Sequence, residues 1–194
     1  MDDLLEHSSL IRPCHGEYLS GDAVVVRPLE QGLFVAIVDV LGHGPDAHEL
    51  TLVIDEYLAR HGNSDVSGLM TRLHQYLKGS RGAAVGLCAI DVSGRVDYAG
   101  IGNTVLRRFG MAETRLVSQD GVLGQNMRTP LHQTLQLEPG DVMVLYTDGV
   151  SDRFTSDDYP GVVRHAPKEV ANNIVERFGK DHDDAACIAV RYNA

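Results

Sequence analysis

The chain is poor in basic residues and in cysteine, and it has no long apolar run. Its 194 residues carry 17 Lys and Arg against 27 Asp and Glu, a formal net charge of -10. That balance argues against a nucleic-acid or anionic-membrane partner, since both select a basic patch. It fits either a solvated acidic surface or a protein that binds cations. The three cysteines, Cys14, Cys88 and Cys187, are odd in number and show no CxxC spacing. Cys88 and Cys187 sit inside apolar runs, where a free Cys behaves as a small core residue. No run approaches the roughly 18 to 20 apolar residues of a membrane span. The opening "MDDLLEHSSL" has neither the positive region nor the apolar region of a secretory signal. A reducing cytoplasm is the expected location.

Several catalytic signatures are missing as well. GxSxG, Walker A and GxGxxG do not occur. His48-Glu49 begins like HExxH, but Leu52 stands where the second His belongs. The acidic "DGVSDRFTSDDY" lacks the alternating ligands of a calcium-binding EF-hand loop. The nine histidines are scattered, and His7, His15, His61, His132 and His165 are expected to face solvent, so zinc is not expected.

What is present is a patterned globular chain, 43% hydrophobic and 23% charged. "DAVVVRPL" (22–29) and "LFVAIVDV" (33–40) are rich in β-branched and aromatic residues, and the short "EQG" between them predicts an antiparallel hairpin. Pro45 suits the first position of a helix. Ala47, Leu50, Val53, Ile54, Tyr57 and Leu58 share one helical face, and Gly62 ends the run. A second helix is expected from the N-cap Asp65 to Lys78, with the stripe Val66, Leu69, Met70, Leu73 and Leu77. From Gly82 to Thr147 the period becomes that of short strands, punctuated by Ser93-Gly94 and Pro139-Gly140. One more helix (Pro167 to Gly179) and a last strand (Ala185 to Tyr192) follow. No repeat or linker interrupts the order, so residues 1–194 read as one domain. The pattern predicts an α+β fold, an αββα sandwich of two stacked antiparallel sheets flanked by helices.

Four aspartates share a position type. Asp39 ends the strand "LFVAIV" and Asp148 ends "VMVLYT"; Asp22 precedes "AVVV", and Asp183, with Asp184 beside it, precedes "AACIAV". Antiparallel pairing sets the end of one strand beside the start of its neighbour, so all four can reach one rim. Two carboxylates about 4 Å apart repel by about 4 kcal/mol at an effective dielectric of 20. A cluster of four therefore takes up protons or binds cations. All-oxygen ligands suit Mg²⁺, Mn²⁺ or Ca²⁺ rather than structural zinc. Taken singly, each Asp is equally a turn former beside glycine. The "GHG" at 42–44 is likewise either a flexible turn or a helix N-terminus with free N–H groups near a metal or anion.

"SGD" (20–22), "DVLGHG" (39–44), "LEPGDVMVLYTDGVSD" (137–152) and "HDDAACIAV" (182–190), in that order and across nearly the whole chain, resemble the metal-dependent serine/threonine protein phosphatases. This is the protein phosphatase 2C (PPM) family, and the likeness is to its bacterial sporulation and stress-response branch. The resemblance implies a centre of two Mn²⁺ or Mg²⁺ ions. Asp39 would bridge both; Asp22 and the backbone carbonyl of Val40 would serve one ion, and Asp148 and Asp183 the other. Asp39, Asp148 and Asp183 would thereby be the catalytic residues, with Asp184 supporting the ligands. The implied reaction is hydrolysis of phosphoserine or phosphothreonine by a metal-activated water. The implied partners are phosphorylated STAS-domain signalling proteins of the stressosome.

Three positions depart from the family pattern. The early Arg that grips phosphate has only Arg12 as a nearby match; His43, four residues after Asp39, does not transfer as a general acid; and Ala186 stands where the last motif usually has Thr. Long substrate-selecting insertions are not evident, which leaves specificity to docking. Two further readings stay open: a phosphatase-fold module that binds phosphoproteins without turnover, and a phosphatase of small molecules. The retained aspartates favour activity.

Overall fold

The computed structural model describes residues 4–151, 153–155 and 157–194. The first three residues of the acidic opening, and Asp152 and Ser156 of the acidic stretch after Asp148, lie outside the described residues. In chain order the first elements are β1 (Leu5–Arg12), β2 (Asp22–Leu29), β3 (Gly32–Val40), α1 (Pro45–His61) and α2 (Val66–Tyr76). Strands β4 (Ala83–Asp91), β5 (Arg95–Ile101), β6 (Val105–Phe109) and β7 (Thr114–Val117) follow. Then come the short β8 (Gly121–Val122), β9 (Asn126–Met127) and β10 (Gln133–Gln136), and finally β11 (Val142–Tyr146), α3 (Pro167–Phe178) and β12 (Ala185–Tyr192).

Alternation along the strands decides how these elements stack. In β3, Phe34, Ala36 and Val38 join one apolar cluster while Leu33, Val35 and Ile37 join another, so both faces of the strand are covered. Phe34, Ala36 and Val38 share their cluster with Ile54 and Leu58 of α1 and Leu69, Met70 and Leu73 of α2. Leu33, Val35 and Ile37 meet Met143 and Leu145 of β11 and Ile188 and Val190 of β12. The other face of β11 and β12 (Val142, Val144, Cys187, Ala189) packs on Val170, Ile174 and Val175 of α3. Burying a side chain such as Ile37 or Leu145 contributes roughly 1.5–3 kcal/mol, and both are wholly enclosed.

One sheet has the order β10-β5-β4-β3-β2 and lies under α1 and α2; the other has the order β1-β12-β11-β6-β7 and lies under α3. The described pairings between strands of both sheets are antiparallel. The expected αββα sandwich is the observed one.

Local signals fix the helix ends. Pro45 and Pro167 open α1 and α3, and the Asp65 side chain accepts from the Gly68 N–H at 2.9 Å to cap α2. Gly62 and Gly179 close α1 and α3 with N–H bonds to Leu58 and Val175. Two expectations need correction. The buried face of α1 is centred on Ala47, Thr51, Ile54 and Leu58, leaving Val53 41% exposed, because the helix lies slightly rotated on its sheet. Strand β1 was not anticipated at all; it is an edge strand paired with β12, with mostly polar, half-exposed side chains. Among the described residues no helix is long and apolar enough to cross a membrane.

Candidate metal centre

The strand register brings the predicted carboxylates to one rim. Asp22 at the start of β2 lies opposite Asp39 near the end of β3. In the other sheet Tyr146, the last residue of β11, pairs with Cys187 of β12. Asp148 follows that pair and Asp183-Asp184 precedes it, so these residues sit at the same end. Thr147 ties the two sheets there. Its hydroxyl donates to Asp22 Oδ2 at 2.7 Å and accepts from the Ala186 N–H at 3.0 Å, while its own N–H donates to the Ala186 carbonyl at 3.1 Å. A hydroxyl thus does lie beside position 186, but Thr147 supplies it from the neighbouring strand. Gly149 is dictated by proximity: a Cβ there would come within 1.7 Å of the Asp184 carbonyl oxygen.

The five aspartates do not share one environment. Asp39, Asp148 and Asp183 together line an open cleft of about 490 Å³, beside Asn103, His43 and Asp120. Asp22 and Asp184 are buried. Asp184 accepts from the Cys14 N–H at 2.8 Å and the Gly21 N–H at 2.7 Å, which pins the "SGD" turn and the chain after β1 against the rim. Val40 follows Asp39 at the end of β3, and its N–H donates to the Gly21 carbonyl at 3.1 Å.

Electrostatics shows what the cluster lacks. Burial, and then the charges of Asp148 and Asp183, push the Asp39 carboxyl up to about 7. Burial and the neighbouring Asp39 hold Asp22 well above the usual carboxylate range, against the opposing bond from Thr147. Asp183 is raised by burial and by Asp148, and Lys180 works in the other direction. Groups this uncomfortable as anions are short of positive charge. Among the described residues no three Asp, Glu, His or Cys side chains converge closely enough to cage an ion alone. Carboxylate oxygens such as those of Asp39, Asp148 and Asp183 in the cleft are chemistry for hard divalent ions.

Some positions depart from expectation. His43 sits between Gly42 and Gly44, whose φ angles of 85° and 75° favour glycine, and its Nδ1 lies 3.0 Å from Glu17 Oε1 at the edge of the cleft. The Arg12 guanidinium donates to the Lys180 carbonyl at 2.6 Å and lies 4.0 Å from Asp181. Asn103 was missed. Its side chain hydrogen-bonds Asp39 and it lines the cleft. The signal was "GIGN", a strand that stops on Gly102 at φ 95° and then presents a polar amide.

Two stacked antiparallel sheets with an acidic cleft at their common rim are the architecture of the PP2C phosphatase fold. Known proteins agree. The stage II sporulation protein E (SpoIIE) family pattern matches residues 30–193. A chain from a structural description of the bacterial stressosome, as a modular system adapted to control secondary-messenger signalling, superposes with a TM-score of 0.88 at 27% identity, covering 96% of this chain and 99% of that one. RsbX in complex with magnesium superposes at 0.83 with 20% identity, covering 97% and 96%. The PP2C phosphatase domain of SpoIIE from Bacillus subtilis, with a fragment of its regulatory domain, gives 0.79 at 19% identity, covering 97% and 63%. No curated protein sequence gives a significant match. The chain belongs to the SpoIIE family, and its fold is the one that the PP2C phosphatase domains share.

Proposed function

We propose that the chain hydrolyses phosphoserine or phosphothreonine on a cytoplasmic signalling partner, a phosphorylated STAS-domain protein, at a centre of two Mg²⁺ or Mn²⁺ ions. The observation that carries the reading is the convergence of Asp39, Asp148 and Asp183 on one cleft, with Asp39 and Asp183 raised by burial and then by neighbouring carboxylates. Likeness to a stressosome chain and to RsbX supports the choice of partner.

Bound divalent ions would supply a water acidic enough to attack phosphorus in line, together with positive charge for the phosphoryl oxygens. The protein's own contribution is placement. Asp39 would be shared between the ions, Asp22 and the Val40 carbonyl would serve one, and Asp148 and Asp183 the other. The Asn103 amide holds the Asp39 carboxylate in one orientation, and Thr147 does the same for Asp22. Asp184, fully engaged with backbone N–H groups, keeps the "SGD" turn from drifting and so fixes where Asp22 stands.

Phosphate release from a phosphorylated, folded STAS domain tests the reading. Exhaustive chelation should abolish release, and Mn²⁺ or Mg²⁺ should restore it. Release undiminished by chelation overturns the metal centre. No release under any metal, with the phosphoprotein still bound, turns the assignment to a phosphatase-fold binding module.

A further inference from the structure

The cleft has two halves that meet at Asn103 and Asp148. The half already described carries Asp39, Asp120, Asp148 and Asp183. The other is larger, about 670 Å³, and its charged lining is of opposite sign: Arg115, Arg153 and Lys180, with His182, against the shared Asp148. Three separate parts of the chain deliver these cations. Arg115 comes from β7, Arg153 from the loop after β11, and Lys180 from the turn before β12. The Lys180 backbone is held on two sides, its N–H bonded to the Gly149 carbonyl at 2.7 Å and its carbonyl accepting from Arg12 at 2.6 Å. A basic lining is unexpected in a chain of net charge -10. The overall field repels anionic partners, so a local reversal beside the reaction centre has a steering consequence.

We propose that this basic half of the cleft recognises acidic side chains flanking the phosphorylated residue of the protein substrate. The inference rests on the phosphatase reading above and adds its specificity. The reacting phosphoryl group belongs with the divalent ions in the acidic half. The basic half adjoins it at Asn103 and Asp148 and is the size of a site for a small ligand, far more than one phosphoryl group fills. A segment of chain entering it brings its neighbouring side chains against Arg115, Arg153 and Lys180. Carboxylates there gain ion pairs. Lysines or arginines meet repulsion, so the surface selects against basic segments as well as for acidic ones.

The test compares two phosphopeptides that share a central phosphoserine and differ only in flanking Asp/Glu or Asn/Gln. The wild-type protein with Mn²⁺ should favour the acidic peptide by about tenfold in kcat/KM, carried by KM, with the preference fading in high salt. In Arg115→Glu/Arg153→Glu that ratio should fall to about one or invert, while Arg115→Lys/Arg153→Lys keeps most of it. Both reversed side chains are exposed, so the fold should survive, and Lys180→Gln provides an independent single change. Equal kcat/KM for the two peptides in the wild type, or a preference that survives charge reversal, overturns the proposal. Should neither peptide nor p-nitrophenyl phosphate be turned over, the phosphatase reading fails. Binding of the two labelled peptides by fluorescence anisotropy then decides the recognition claim separately, through the same ratio in the same variants.

Discussion

Asp39 and Asp184 stand at the same rim and meet opposite fates. Asp184 is buried with both carboxylate oxygens engaged by backbone N–H groups, those of Cys14 and Gly21. Asp39 is half-buried, crowded by Asp148 and Asp183, and has one amide donor from Asn103 to set against them. The protein satisfies the first charge internally and leaves the second to something outside itself. That difference separates a structural carboxylate from a metal-holding one, although both are aspartates next to strand ends. The comparison predicts that removing the Asp184 charge harms the fold, whereas removing the Asp39 charge harms only the reaction.

The largest expected effect is on the Asp39 side. Asp39→Asn should lower kcat by about 10³-fold or more, about 4 kcal/mol of transition-state stabilisation. Its urea midpoint without metal should be equal to or above that of the wild type, because one repelling charge is gone. Asp157→Asn, on the exposed acidic stretch, serves as the control and should stay within about 0.5 kcal/mol of wild type in stability. Equal activity losses at 39 and 157, or an unfolded Asp39→Asn, would remove the contrast.

Asp184→Asn comes next. The amide keeps one acceptor oxygen and turns an NH₂ toward the other backbone N–H, so one buried donor loses its partner. A loss of about 2–3 kcal/mol in urea denaturation is expected, with and without Mg²⁺ alike. A stability unchanged in both conditions, with activity abolished, would instead make Asp184 a metal ligand and sink its structural role.

How far the sequence alone carries this comparison depends on locality. The run "LFVAIV" followed by Asp and "GHG" is legible because a doubly buried strand, a carboxylate and two left-handed glycines lie within a dozen residues. The convergence of Asp22, Asp39, Asp148 and Asp183 is legible in part, since antiparallel pairing constrains which strand ends can meet. Which member of Asp183-Asp184 faces the cleft is not legible: it turns on one step of alternation, set by β12 pairing with β11 and β1. Strand β1 escaped notice because "LEHSSLIR" is half polar, as an edge strand can be, and its partner lies at the far end of the chain. Asn103 is marked only by the glycine before it in "GIGN", and the trio Arg115, Arg153 and Lys180 carries no motif. Only the sandwich brings them to the cleft.

The smallest expected effect concerns pH, and it tests the unsatisfied side of the comparison. In the metal-free protein the Asp39 carboxyl titrates at about 7, and Asp22 and Asp183 are raised as well. In the unfolded chain the same groups titrate near the ordinary value of about 4. Between those values the folded state keeps protons that the unfolded state has already released. Stability therefore falls as pH rises through that window, the reverse of what a salt-bridged aspartate produces. After exhaustive chelation, Tm should drop by about 5 °C or more from pH 5 to pH 7.5. Saturating Mg²⁺ should remove much of that slope, because cations stabilise the ionised carboxylates in the folded state alone. Asp39→Asn should flatten the metal-free curve and Asp184→Asn should shift it downward with its slope intact. Differential scanning fluorimetry over this pH range reads all four curves. A metal-free Tm that holds level or climbs between pH 5 and 7.5 would mean that the charges of Asp22, Asp39 and Asp183 are already satisfied by the protein, and the distinction between Asp39 and Asp184 would have to be abandoned.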